Sequence, residues 1–196
     1  MKENFFSAKR IAGMGILLAL VIVLQWFGGT IVIGPVQLNF TLVPIVLGAM
    51  VFGPWVGAFL GFSSGVIVLI QVIQGLVPFY TLIWTNDPIV TSIVCLSKTT
   101  VAGLIAGFIY NLLKNKNQIA ASFISSGIVP IINTLIFVIG CMCMSSVRSM
   151  ASGDGSMLLV YILVSIVTFN FFFEFAISLF LAPALNRVLK AVKYVD

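Results

Sequence analysis

Lys9-Arg10-Ile11-Ala12-Gly13-Met14-Gly15-Ile16-Leu17-Leu18-Ala19-Leu20 is the stretch that decides the fold. Two cations lead into an apolar run that continues to Phe27 without another charge. A helix crosses a bilayer with about 20 apolar residues, and this run is close to that length. The arrangement recurs along the chain. Lys114 and Lys116 break the apolar sequence at mid-chain, and Arg187, Lys190 and Lys193 close it. With Lys2, these make eight of the ten basic residues, in three clusters that abut apolar segments. Cytoplasmic loops collect Lys and Arg whereas outward loops do not. The clusters therefore predict a membrane protein with an even number of spans and both termini cytoplasmic.

Composition agrees. The chain is 61% hydrophobic and 8% charged, against roughly a quarter charged in soluble domains. Its net charge of +5 is explained by topology, so no nucleic-acid partner is expected. The first apolar run lacks a small-x-small cleavage site before a polar region, and it reads as a retained helix rather than a signal peptide. The three cysteines, Cys95, Cys141 and Cys143, lie in apolar surroundings and are odd in number, which argues against a disulfide framework. The chain has no histidine. That removes most zinc chemistry and the Ser-His and Cys-His nucleophile pairs.

Six spans are predicted: Ile11 to Phe27, Phe40 to Phe52, Trp55 to Gln74, Pro88 to Leu113, Ile119 to Met144, and Met157 to Leu185 followed by the basic tail. The second is short and contains Pro44; a re-entrant pair of helices two and three is the alternative. Gly28 to Asn39, Gly75 to Asp87, and Ser145 to Ser156 read as loops, the last with Gly153-Asp154-Gly155 as its turn. Residues 1–196 form a single domain, an all-α six-helix bundle. No phosphate-binding Gly-x-x-x-x-Gly-Lys-Ser/Thr loop occurs, so any ATP-driven step needs another chain.

Several constellations carry possible chemistry. Gly53, Gly57, Gly61 and Gly65 are four apart and share one helix face; Gly103 and Gly107 repeat the device. Such stripes admit close helix approach, within the bundle or against a partner. Ala8, Ala12, Gly15 and Ala19 form a comparable small face. Gly61-Phe62-Ser63-Ser64-Gly65 matches a nucleophile elbow in letters alone, since it lies in an apolar helix without a histidine base. Cys141-Met142-Cys143-Met144 offers soft sulfur ligands, but such residues are ordinary fillers of an apolar helix end. Neither a metal nor a cofactor is expected.

The polar residues inside the predicted spans say more. Lys98 lies about ten residues into helix four, or ~15 Å at ~1.5 Å per residue. Asn133 on helix five reaches a similar depth, and Asn170 and Glu174 share a face of helix six. Intramembrane ionisable residues are costly and usually face a bundle interior or a wet cavity. These four are candidate solute ligands; a structural Lys98–Glu174 pair or snorkelling of Lys98 explains them equally simply. In the outer loops, Trp84 and Asn86 with Tyr80, and Gln37 and Asn39 opposite, offer stacking area and amides for a ligand. An interfacial aromatic belt would also place Trp84 there.

Four stretches together resemble the substrate-capture (S) components of energy-coupling factor (ECF) vitamin transporters. They are the opening Lys9 to Leu20, the run Pro44-Ile45-Val46-Leu47-Gly48-Ala49-Met50-Val51-Phe52-Gly53-Pro54-Trp55-Val56-Gly57-Ala58, the run Ala102-Gly103-Leu104-Ile105-Ala106-Gly107-Phe108-Ile109-Tyr110, and Asn170 to Lys190 with Glu174 and Pro183. The resemblance implies six helices, an outward-facing pocket and no ATPase or other enzymatic activity in this chain. It implies a partner transmembrane (T) component and two ATPase subunits in a bacterial cell membrane. It also implies that the small face of helix one docks on the T component. Gly15 and Ala19 fit that role, with Gly15 replacing the usual Ala.

The second helix is similar to the pantothenate and riboflavin branches. Leu38-Asn39-Phe40-Thr41 lacks the acid usual in riboflavin-type members, and Ser97-Lys98 stands where pantothenate-like members often carry Pro-Arg. Lys98 retains the cation, and pantothenate is the leading expectation. A stand-alone proton-coupled transporter using Lys98 and Glu174 is the rival reading, although inverted repeats are not evident. A membrane lipid transferase would need an acidic metal cluster, and the five acids are scattered.

Overall fold

The computed structural model describes residues 8–28, 32–33, 36–37, 39–145, 147–148 and 156–193. Seven helices occur among them: α1 (Ala8–Gly28), α2 (Leu42–Phe52), α3 (Pro54–Ile73), α4 (Pro78–Trp84), α5 (Pro88–Leu113), α6 (Gln118–Cys143) and α7 (Ser156–Lys193). Pro54, Pro78 and Pro88 each open a helix, where a missing N–H costs nothing. Asn117 caps α6: its side-chain oxygen accepts from the Ile119 and Ala120 amides at 3.0 and 3.1 Å. Between α1 and α2 lies a two-residue antiparallel ladder, β1 (Val32–Ile33) and β2 (Val36–Gln37), with Val32 opposite Gln37 and Ile33 opposite Val36.

Five helical segments are long and apolar enough to cross a membrane: α1, α3, α5, α6 and Val167–Leu189 within α7. Large apolar side chains cover their outsides, with Phe180 84%, Ile16 70% and Trp55 70% exposed. That would be a liability in water and is what a lipid-facing surface requires. α2 is apolar but only 11 residues long, or ~16 Å at ~1.5 Å per residue, about half of a ~30 Å hydrocarbon core. It is the central element, packing against α1, α3, α5, α6 and α7.

The sequence-based boundaries need three corrections. The segment Gly75 to Asp87, expected as a loop, contains α4. Pro78 starts this turn of helix, and buried Tyr80 and Ile83 hold it against the bundle. The last helix does not end at Leu185 but continues through the basic tail to Lys193. Pro183 removes one helical hydrogen bond, a loss that membrane helices tolerate, and Leu185 and Leu189 keep packing beyond it. The second element is short, as expected, but begins at Leu42 rather than Phe40. Gly153-Asp154-Gly155 lies outside the described residues.

The described basic clusters converge at one end of the bundle. Arg10 of α1 donates to the Phe52 carbonyl at the end of α2, at 3.4 Å. Gly107, near the end of α5, abuts Pro54 at the start of α3. Leu185 and Leu189 share a core cluster with α2, Tyr110 and Ala121. That cluster fills the basic end. A second, built from Val68, Val72, Tyr80, Ile83, Val94, Phe137 and Cys141, fills the opposite end. A third ties Leu17 and Val21 of α1 to Ile45, Val56 and Leu60.

The glycine stripe is spent inside the bundle. A Cβ on Gly57 would sit 2.6 Å from the Gly103 carbonyl oxygen, and one on Gly65 would sit 2.6 Å from that of Cys95. A Cβ on Gly61 would collide with the Thr99 carbonyl. The Thr99 hydroxyl in turn donates to the Gly61 carbonyl at 2.7 Å. Gly53 serves differently. It adopts φ 103° and ψ 172°, a conformation open essentially to glycine alone, at the corner between α2 and α3.

Gly61→Ala is therefore expected to lower stability by about 1–3 kcal/mol through overpacking against backbone. Gly15→Ala, where an added Cβ meets nothing within 4 Å, should leave stability unchanged. Thermal unfolding of the two variants in the same detergent measures the contrast.

Candidate functional site

A polar layer lies between the two apolar clusters at the ends of the bundle. Along α5 the inward positions read Cys95, Lys98, Ala102; along α6 they read Phe137, Asn133, Val129. On α7, Glu174 lies about two turns before Ala182 and about three before Leu185. Lys98, Asn133 and Glu174 are 8%, 4% and 3% exposed. Because α2 reaches only about half-way, no central helix fills the axis at both levels. The long helices there turn side chains toward one another instead.

Lys98 and Glu174 do not form a direct ion pair. The Lys98 ammonium donates to the Tyr80 hydroxyl at 2.8 Å and lies 4.9 Å from the Tyr80 ring centroid and 5.9 Å from that of Phe137. Both distances suit cation–π attraction. Tyr80 thus holds the cation by hydroxyl and ring face, and α4 is the element that delivers it. Glu174 is held from the other side. Asn133 Nδ2 donates to one carboxylate oxygen at 3.2 Å, and Asn170 Nδ2 donates to the other at 2.9 Å. The carbonyl oxygens of both amides are buried and have no hydrogen-bond partner among the described residues.

Of the other sequence candidates, Trp84 is half-buried and packs on the cluster that contains Tyr80 and Phe137. Asn86 is exposed. Gln37 lies on β2, the strand that packs beside α7. Asn39 stands elsewhere, at a second buried polar cluster. Its side-chain oxygen accepts from the Thr41 amide at 3.3 Å and from the Thr41 hydroxyl at 2.5 Å. That hydroxyl lies 3.1 Å from Ser64 Oγ, which donates to Gln25 Oε1 at 2.9 Å. Gln71 donates to the Gln25 carbonyl at 3.2 Å. This network ties α1, α3 and the start of α2 together.

Gln25, Thr41, Ser64 and Gln71 were not singled out from the sequence, nor was Phe137. The available signal was an isolated amide or hydroxyl within an apolar helix, which Gln25 and Gln71 both show. Ser63, the serine of the elbow-like motif, lies inside continuous α3 and donates to the Phe59 carbonyl at 2.9 Å. Ala12, Gly15 and Ala19 all lie on the exposed side of α1, unused by packing among the described residues.

A half-length central helix, surrounding span-length helices and a buried polar layer define a helical bundle of membrane-protein type. A family model for the ECF transporter substrate-specific component matches residues 9–186, and the chain belongs to that family. It is accordingly a substrate-binding subunit of a membrane transporter, a class that generally carries no enzymatic activity. No curated protein matches the chain.

Tyr80→Phe is expected to cost about 1–3 kcal/mol, because it leaves a buried ammonium without its acceptor. Asn86→Ala, at an exposed position, should stay within about 0.5 kcal/mol. Chemical unfolding of the solubilised chain checks both.

Proposed function

We propose that this chain captures a vitamin from outside a bacterial cell and delivers it to the cytoplasm together with a T component and two ATPase subunits. The basic end faces the cytoplasm, with both termini there, and α2 completes a sixth, half-length span. Lys98, Asn133, Asn170 and Glu174 form the solute site; Trp84, Asn86 and Gln37 close it from outside. The observation that carries the reading is the buried polar layer. Groups so costly to bury, with two amide oxygens left unpartnered, are better suited to meeting a solute than to holding a bundle together.

Docking runs through α1. Ala12, Gly15 and Ala19 present a smooth, unoccupied face, and small faces let helices approach closely inside lipid. Pantothenate is the leading solute, with its carboxylate on Lys98, and riboflavin is next. Chemistry on the solute has no place in this scheme: the chain binds and releases, and the ATPases supply the energy.

The full chain purified from its native membrane should bring down ATPase subunits, and Gly15→Trp should abolish that capture while solute binding to the isolated chain persists. Failure of the unaltered chain to retain any ATPase would overturn the reading. A yellow preparation with flavin absorbance would move the solute from pantothenate to riboflavin.

A further inference from the structure

We infer that the corner where α5, α6 and α7 meet at the basic end binds an anionic phospholipid, with the headgroup phosphate on Lys114, Lys116 and Arg187 and the acyl chains against Leu112, Ile119 and Val188. This site is separate from the central polar layer and independent of which solute the chain carries.

Charge is the first observation. The acids among the described residues are Asp87 and Glu174. Asp87 stands at the start of α5, a whole helix away from Lys114, and Glu174 lies in the central polar layer. The basic end therefore gathers Lys114, Lys116 and Arg187 with no acid beside them among the described residues. All three are exposed. The Lys114 ammonium donates to Asn111 Oδ1 at 2.8 Å, a neutral oxygen that leaves its charge uncompensated.

The second observation is what stands next to these cations. Membrane topology alone asks for Lys and Arg at this end but does not dictate their neighbours. Leu112, two residues before Lys114, is 74% exposed; Ile119, three after Lys116, is 52% exposed; Val188, next to Arg187, is 42% exposed. Each helix end thus sets a cation beside a bare aliphatic side chain. Headgroup charge directly against hydrocarbon is the profile of a phospholipid. A water-soluble acidic partner would meet the cations and gain nothing from the aliphatic side chains.

The three ends form one surface. Tyr110 of α5, Ala121 of α6, and Leu185 and Leu189 of α7 share a single core cluster, which holds the cation-bearing ends side by side. Two further donors back the corner. Tyr110 Oη and Gln118 Nε2 lie near each other, and neither reaches hydrogen-bond geometry with a described residue. Phosphate oxygens only accept, and guanidinium binds them with a planar fork. Basic pockets between membrane helices recognise anionic headgroups on this principle.

The test is native mass spectrometry of the full chain in detergent, titrated with phosphatidylglycerol against phosphatidylcholine of the same acyl chains. Phosphatidylglycerol is expected to be retained about tenfold or more tightly, a preference that a few membrane-proximal cations suffice to give, and added salt should weaken it. Lys114→Arg with Lys116→Arg should keep the preference. Lys114→Gln, Lys116→Gln and Arg187→Gln together should cut it to less than about twofold, while thermal unfolding in phosphatidylcholine stays unchanged, because the positions are exposed. Equal retention of the two lipids by the unaltered chain overturns the inference. So does a preference that survives the triple Gln change, whether or not that change releases ATPase subunits; release would make the corner a protein-docking surface instead. Glycerol phosphate binding as tightly as the lipid would reduce the site to one for a soluble anion, and the inference would fall.

Discussion

Backbone-to-backbone contact between α3 and α5 is the constraint on which the rest of the bundle depends. Gly57, Gly61 and Gly65 face the carbonyls of Gly103, Thr99 and Cys95 so closely that a single methyl group would collide. Lipid tails are as apolar as leucine, so helices in a bilayer gain little from hiding apolar area and associate through close packing and hydrogen bonds instead. The Thr99–Gly61 hydrogen bond is one of these. Locking α3 to α5 sets the positions of both neighbours. α3 carries Ser64 and Gln71 to Gln25 of α1. α5 carries Lys98 to Tyr80.

The short α2 is the second constraint. An 11-residue helix in a bundle of span-length helices fills one end of the axis and leaves the other to side chains and connecting segments. At the basic end the axis is dry, lined by Leu42, Val46, Ala49, Ala102, Ala106 and Leu185. Toward the other end, α4 packs against α3 and α5. Lys98, Asn133 and Glu174 are buried on three long helices between these regions. Burial strengthens every interaction they make and raises the cost of every one left unmade.

Much of this was legible in the residues. The span of α5, Pro88 to Leu113, follows directly from its opening proline, its apolar length and Lys114. The basic ends of α1, α5 and α7 follow from charge placement. Lys98, Asn133, Asn170 and Glu174 stand out because a polar side chain in an apolar helix is expensive. Other features left weaker traces. α4 is seven residues long, too short for periodicity to show. The continuation of α7 past Pro183 leaves no trace in the sequence, because proline is a strong stop signal in water but a weak one where neighbouring helices take up the loss.

By itself the sequence determined that the chain belongs in a membrane, where its spans lie, which residues are costly to bury, and which faces are smooth. Those are one-dimensional properties: apolar length, charge position and spacing on a helix. Pairing was decided only by the tertiary structure. Lys98 and Glu174 carry opposite charges at comparable depth, and spacing alone made them plausible partners. The fold gives Lys98 to Tyr80 and Glu174 to two asparagines. It turns the glycines of α3 inward and the small face of α1 outward. The physical reason is that a helix fixes which residues share a face, whereas which face meets which neighbour depends on how all the helices pack at once.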